Sequence, residues 1–331
     1  MNPKRIIISR TDNIGDVMLT LPMAGVLKEY FPECTIYFIG KTYTKALIET
    51  CIHIDQFIDR EAVIDDEYLT HINADVIINV FPDKAIAKAA MKAKVTLRIG
   101  TSHRLFHWLY CNKKVNFSRK NSNLHEAQLN LKLLEPLGII KDFQLSELSN
   151  YSGFEKVPVL PNRLKNLLRQ EKFNIIFHPK SKGSAREWPM EYYFQLAKSL
   201  PSEKYSIFIT GTQKEGDLIK SQKSEIFDLP NVTDLTGKCS LEELISFITS
   251  SDSLLACSTG PLHIASALGK NAIGIYPPMR PIHPGRWAPL GKNTTVLFEN
   301  KFCDSCRKNF DCKCIQSIHP SQVLTIIKDL K

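Results

Sequence analysis

Two aspartates flank the single glycine of "RTDNIGDVML", residues 10 to 19, just after the apolar run "RIIIS". A carboxylate at such a strand-to-helix junction can cap the helix, or it can take a proton from a bound hydroxyl. Asp16, on the helical side, is open to both readings. A second group lies in "HPKSKGSAREWP" (178 to 189), where Lys180, Lys182 and Arg186 accompany Ser181, Gly183 and Ser184. Cations and hydroxyls ahead of a helix suit a phosphate, because the helix N–H groups add partial positive charge. A solvated basic loop is the plainer alternative. In "ITGTQKEGD" (209 to 217), Glu215 can accept hydrogen bonds from ribose hydroxyls or sit as an ordinary first-turn carboxylate. "CSTGPLHIASALG" (257 to 269) places Ser258, Thr259 and Gly260 at another strand-to-helix turn, a cradle for a diphosphate. His263 follows one turn on, as a contact to phosphate or sugar or as a structural hydrogen-bonder.

These loops need elements to hold them, and the chain supplies two sets. "RIIIS", "TIYFIG", "DVIINV" and "VTLRIG" read as strands in the first half, alternating with helix-like segments at 16–30, 42–51, 83–95 and 124–138. From about 140 to 161 the rhythm breaks at Gly153, Pro158 and Pro161, as a linker would. It then restarts with "FNIIFH", "YSIFITG", "DSLLACS" and "NAIGIY" as strands between helices. Continuous apolar strands alternating with helices predict parallel sheets covered on both faces. The expectation is an α/β protein of two Rossmann-like domains facing a central cleft, residues 1–150 and 151–331, with the last helix able to pack back on the first domain. Open parallel sheets hold ligands at the carboxyl ends of their strands, which selects the same four loops. Neither GxGxxG nor GxxxxGK[ST] occurs, so the dehydrogenase and P-loop readings lose support.

Composition narrows the setting. No stretch approaches the roughly 20 apolar residues of a membrane-spanning helix, and the N-terminus lacks the pattern of a signal peptide. A cytoplasmic protein is expected, with its nine cysteines mostly reduced. The net charge of +9 is concentrated: Lys84 to Lys120 holds ten Lys or Arg and no Asp or Glu. Lys84, Lys88 and Lys92 share one helical face. "RLFHWLYCNKK" then interleaves Phe106, Trp108, Leu109 and Tyr110 with Arg104, Lys113 and Lys114, which suits an anionic lipid surface. A solvated face followed by a buried aromatic cluster is the alternative; no nucleic-acid motif accompanies the charge. Cys303, Cys306, Cys312 and Cys314 could hold structural zinc, form a local disulfide or stay reduced.

Taken residue by residue, "RTDNIGDVMLTLPMAGVLKEYFPECTIYFIG" resembles the opening of glycosyltransferase family 9, the ADP-heptose:lipopolysaccharide heptosyltransferases. "REWP" resembles that family's KxWP, "STGPLHIASALG" its D[ST]GPxHxAAALG, and "CDSCRKNFDCKCIQSIHPSQV" its cysteine-bearing ending. The resemblance implies a GT-B fold and metal-independent, inverting transfer of heptose from ADP-heptose to a lipopolysaccharide inner-core acceptor. It implies Asp16 as base. It implies Lys182, Arg186, Glu215, Ser258, Thr259, Gly260 and His263 at the donor, and Arg98, Arg104, Lys113 and Lys114 at the acidic acceptor. The implied partners are a nucleotide-sugar, an anionic lipid-linked saccharide and the inner membrane's cytoplasmic face, with no metal or other cofactor. Two positions depart from the pattern: Arg186 replaces the usual Lys, and Ser258 replaces an Asp. The rival readings are a transferase using another nucleotide-sugar, and a non-catalytic sugar-nucleotide binder.

Overall fold

The computed structural model of the chain describes residues 2–64, 67–119, 122–300, 303, 306 and 313–331. The chain divides into two compact units, Met1–Lys156 and Val157–Lys331. The division lies inside the expected linker, six residues after the expected boundary at 150/151. Each unit is built on a six-stranded parallel sheet.

In the first unit the strands are β1 (Arg5–Ser9), β2 (Thr35–Gly40), β3 (Gln56–Asp59), β4 (Val76–Asn79), β5 (Leu97–Thr101) and β6 (Lys113–Val115), in the order β3-β2-β1-β4-β5-β6. In the second they are β7 (Phe173–His178), β8 (Tyr205–Ile209), β9 (Val232–Asp234), β10 (Ser253–Cys257), β11 (Asn271–Ile275) and β12 (Thr294–Leu297), in the order β12-β11-β10-β7-β8-β9. The two orders are the same doubly wound pattern. The central strands are apolar because helices cover both faces: Ile6, Ile7 and Ile8 of β1 and Ile175, Ile176 and Phe177 of β7 are fully buried.

In this topology the strand order reverses between β1 and β4, and between β7 and β10. Loops leaving the carboxyl ends of those strands open where a ligand can sit. Residues 10–13 follow β1, the loop 179–189 follows β7, and Ser258–Thr259 follow β10. The topology therefore places three of the four chemically rich loops at its two switch points.

The helices are shorter than the periodicity suggested. The expected helix 16–30 is two, Ile14–Met18 and Leu21–Tyr30, with Pro22 in the first turn of the second. A Cβ on Gly25 would come within 2.2 Å of the Tyr151 carbonyl oxygen, so glycine permits the close approach of the turn Ser149–Tyr151. In Lys84–Lys92 the Asp83 side chain caps the backbone N–H of Ala85 at 2.9 Å. Ile86, Ala87, Ala89 and Ala90 are buried there, leaving Lys84, Lys88 and Lys92 exposed on one face. The final helix, Pro320–Asp329, was allowed a place on the first unit; it belongs to the second, where Val323 and Ile327 are buried in one core with Leu196 and Ala197. Trp188 fixes that arrangement by donating its indole N–H to the Ile318 carbonyl at 2.8 Å.

Candidate functional site

Asp16 does not cap its helix. Asn13 occupies the N-cap position without a side-chain cap bond, and the half-buried Asp16 carboxylate turns back to accept from the Arg10 guanidinium. Asn13 Nδ2 lies 3.4 Å from its other oxygen. Arg10 is only 3% exposed and is held from three sides. Its Nε donates to Asp12 Oδ1 at 2.7 Å, one terminal nitrogen to Asp16, and the other to Glu126 Oε1 at 3.4 Å and Asn130 Oδ1 at 3.3 Å. Arg119 donates to Glu126 and, at 3.0 Å, to Asn130 Oδ1. Asn130 in turn donates to the Leu19 carbonyl at 2.9 Å, tying the network to the chain just beyond Asp16.

This cluster contains three carboxylates and two guanidiniums. Burial alone would disfavour the Arg10 cation, but Asp12, Asp16 and Glu126 outweigh it and raise its pKa. At Asp12 the charged form is instead disfavoured: burial, joined by the Asp16 charge, lifts its pKa above the usual carboxylate range despite Arg10. The arrangement orients one carboxylate, Asp16, on an arginine that is itself immobilised. Arg10, Arg119 and Glu126 were missed in the sequence, because Glu126 stands 116 residues from Arg10 and nothing local links them.

In the second unit the loop after β7 sorts its own cations. Lys180 is buried and donates to Glu187 Oε2 at 2.9 Å and Gln222 Oε1 at 2.6 Å; Ser181 N and Oγ both donate to Glu187 Oε1 at 2.9 Å. Both were candidates for a phosphate and instead hold the loop in shape. Lys182 is exposed, with φ +50° beside Gly183 at φ +80°. Arg186 is buried, and its Nε and Nη2 donate to the Cys306 carbonyl at 3.2 and 2.9 Å. Glu215 closes a capping box, accepting from Thr212 N at 2.6 Å and Thr212 Oγ1 at 2.8 Å. Ser258 lies beside the buried Tyr276 hydroxyl, which donates to the Trp287 carbonyl at 2.8 Å. Thr259 is the N-cap of the helix Gly260–Ala267 but makes no side-chain cap bond, and its buried Oγ1 has no hydrogen-bond partner among the described residues. His263 is buried on the same helix.

His178, at the end of β7, sits 3.0 Å from Thr210 Oγ1 through Nδ1. Burial lowers its pKa to about 4; Lys182 acts the same way, while Glu215 and Glu187 oppose. The unfolded chain takes up that proton near 6.5 and the folded chain only near 4. Stability is therefore fully present above pH 6.5 and is lost as pH falls towards 4, by on the order of 3 kcal/mol. Urea melts at pH 7 and pH 4.5 read this directly. His178→Gln is expected to flatten the difference, and an unchanged pH dependence would count against this assignment.

The basic segment separates into parts. Arg98 donates through Nε to the Tyr110 carbonyl at 2.8 Å and through Nη1 to the Val95 carbonyl at 2.5 Å, so it braces β5 within its own unit. Arg104 and Lys113 are exposed, and Lys114 lies 4.8 Å from the centre of the Trp108 ring. The alternative of a buried aromatic cluster is not formed: on the helix Leu105–Tyr110, Leu105, Trp108 and Leu109 are 89%, 60% and 71% exposed. At the C-terminus, Cys303, Cys306 and Cys314 are not joined in disulfides, and Cys312 lies outside the described residues.

Comparison with known proteins finds similar chains and a similar fold. A sequence model of glycosyltransferase family 9 (heptosyltransferase) matches residues 73–315. The chain is 23% identical to a lipopolysaccharide core heptosyltransferase of Haemophilus influenzae over 90% of its own length and 86% of the relative's. It is 23% identical to lipopolysaccharide heptosyltransferase 1 of Campylobacter coli, covering 98% of each chain. The solved structure of the Escherichia coli ADP-heptose lipopolysaccharide heptosyltransferase II superposes with a TM-score of 0.78 at 19% identity, covering 99% of this chain and 98% of that one.

Proposed function

The chain belongs to glycosyltransferase family 9, and on that premise we propose that it moves a heptose from ADP-heptose to an acidic inner-core acceptor of lipopolysaccharide by one inverting displacement, without a catalytic metal. The observation that carries this reading is the Asp16 carboxylate fixed on Arg10 at the first unit's switch point. Asp16 takes the proton of the acceptor hydroxyl as its oxygen bonds to the donor's anomeric carbon. The bond from that carbon to the diphosphate breaks, and ADP leaves with the electron pair.

The second unit supplies the donor site in this reading. Lys182 and Arg186 offset the charge growing on the diphosphate, and the backbone at Thr259 and Gly260 adds N–H donors. Thr259 Oγ1, buried without a partner among the described residues, is a hydroxyl ready for a donor oxygen. Glu215 keeps its capping bonds through Oε2, so a ribose contact would fall to Oε1. His263 lines the same turn. Ser258 carries no charge where the family pattern has an Asp, which points to the sugar end of the donor as the place where specificity can differ. Offering ADP-heptose and a panel of other nucleotide-sugars with a deacylated inner-core acceptor tests this. The expected result is a product gaining one heptose from ADP-heptose. Gain of a hexose from another donor would move the assignment to the rival transferase, and donor binding with no product to the binder.

The acceptor's phosphates and the lipid surface share one chemistry, and exposed Leu105, Trp108 and Leu109 occur in one segment with Arg104, Lys113 and Lys114, the last of them over the Trp108 ring. No described helix is long and apolar enough to cross a membrane. We place this face at the cytoplasmic surface of the inner membrane, with the apolar side chains in the headgroup boundary and the cations over anionic lipid. Sedimentation with phosphatidylglycerol vesicles is expected to carry the protein down at low salt. Trp108→Ala with Leu105→Ser should weaken that binding several-fold, and equal binding to neutral phosphatidylcholine vesicles would contradict the placement.

A further inference from the structure

Three sulfur atoms converge in the second unit without a bond between them. Cys303 is half-buried, Cys306 and Cys314 are buried, and their Sγ atoms all lie within 4.8 Å of one another. Cys303 and Cys306 have the C-x2-C spacing of a metal knuckle, and Cys314 arrives on a separate helical turn, Lys313–Gln316. In a tetrahedral site with metal–sulfur bonds of about 2.3 Å, sulfur atoms stand about 3.8 Å apart. The observed convergence needs a contraction of no more than about 1 Å to reach it.

The surroundings suit thiolates. The Arg186 guanidinium donates twice to the Cys306 carbonyl, placing a buried cation beside the cluster. Three thiolates around a divalent ion carry one net negative charge, which that cation offsets. Cys306 and Cys314 belong to the same core as Trp188 and Ile318. A tetrahedral set with three thiolates selects a thiophilic ion, zinc or iron, over magnesium or calcium.

We propose that Cys303, Cys306 and Cys314 bind one structural thiophilic metal ion, zinc or ferrous iron, with a fourth donor completing the tetrahedron. The ion has no part in the sugar transfer. It cross-links the C-terminal segment, fixing the Cys306 carbonyl that aims Arg186. The metal site stands on the sulfur geometry alone; its effect on the donor rests on the reading of Arg186 as a diphosphate cation.

Elemental analysis of the full-length protein, purified under reducing conditions, tests the site without any activity assay. The expected result is about one zinc or iron per chain, the iron form distinguished by its thiolate charge-transfer absorption. Cobalt(II) exchanged into the wild-type protein should give the intense visible bands of tetrahedral thiolate ligation, which needs no variant to fold. Cys314→Ser is expected to lose the ion and lower the melting temperature, whereas Cys239→Ser, at a thiol outside the cluster, should keep it. Folded, reduced protein that takes up no stoichiometric zinc or ferrous iron would overturn the proposal, as would a native disulfide joining two of the three. ADP affinity is expected to fall about tenfold in Cys314→Ser. Unchanged ADP affinity in a metal-free Cys314→Ser would overturn the link to Arg186 alone, and wild-type protein that holds metal but binds no ADP would overturn the donor reading instead.

Discussion

Asp16→Asn is expected to lower the rate of sugar transfer by about a hundred- to ten-thousand-fold, the range that general-base catalysis supplies. Asparagine keeps the size of the side chain and can still accept a hydrogen bond from Arg10, so the fold and melting temperature should hold. Donor binding should also hold, because the residues assigned to ADP belong to the other unit. The signature is thus a fall in kcat with little change in the dissociation constant for ADP. Asp12→Asn is the control. Asp12 accepts from Arg10 Nε and is half-protonated closer to neutrality than an ordinary carboxylate, so its loss should cost less. A variant at Asp16 that turns over like wild type would remove Asp16 from the chemistry.

Arg10→Met carries the second large effect, on stability as well as rate. The substitution leaves the part-buried Asp12 and Asp16 facing each other with their shared cation gone, while Glu126, 1% exposed, keeps Arg119. Stranding buried charge in this way costs about 3–5 kcal/mol. A carboxylate that loses an adjacent cation holds its proton more tightly, so the acid limb of the pH–rate profile should move to higher pH. Arg10→Lys keeps the charge but cannot reach three carboxylates with one planar group, and should recover stability better than rate. Denaturant melts and a pH–rate profile on the same two variants separate the contributions. Equal stability and an unmoved acid limb would mean that Arg10 is not the element orienting the base.

The strands that the sequence revealed share one property. "RIIIS", "TIYFIG", "DVIINV", "VTLRIG", "FNIIFH", "YSIFITG", "DSLLACS" and "NAIGIY" correspond to β1, β2, β4, β5, β7, β8, β10 and β11, the interior strands of the two sheets. The four that were not seen, β3, β6, β9 and β12, are the four edges. An interior parallel strand is buried on both faces and reads as a continuous apolar run. An edge strand is short and partly solvated: β9 is three half-buried residues, "VTD", and β6 is "KKV". Helix lengths were overread at Thr20 and again near Lys132, where apolar spacing continues across a change of helix.

The site was legible in its local parts and not in its connections. Loop position and residue type pointed to Asp16, Arg186 and Thr259, and the topology sets their loops at the two switch points. The partners of Lys180 and Arg98 could not be read, because they are supplied by the fold, and a cation's partner decides how freely it can meet a ligand. Arg10 and Glu126 went unseen for the same reason. Exposure could not be read either: Trp108 and Leu109 have the composition of a core and the accessibility of a docking face.

The anomeric configuration of the transferred sugar tests the central claim most directly. With ADP-heptose of known configuration and a deacylated inner-core acceptor, proton NMR of the product reads the stereochemistry of the new bond. One displacement with Asp16 taking the acceptor's proton predicts inversion at the anomeric carbon, accompanied by one ADP released per bond formed. Retention of configuration, or ADP release with no sugar on the acceptor, would contradict it.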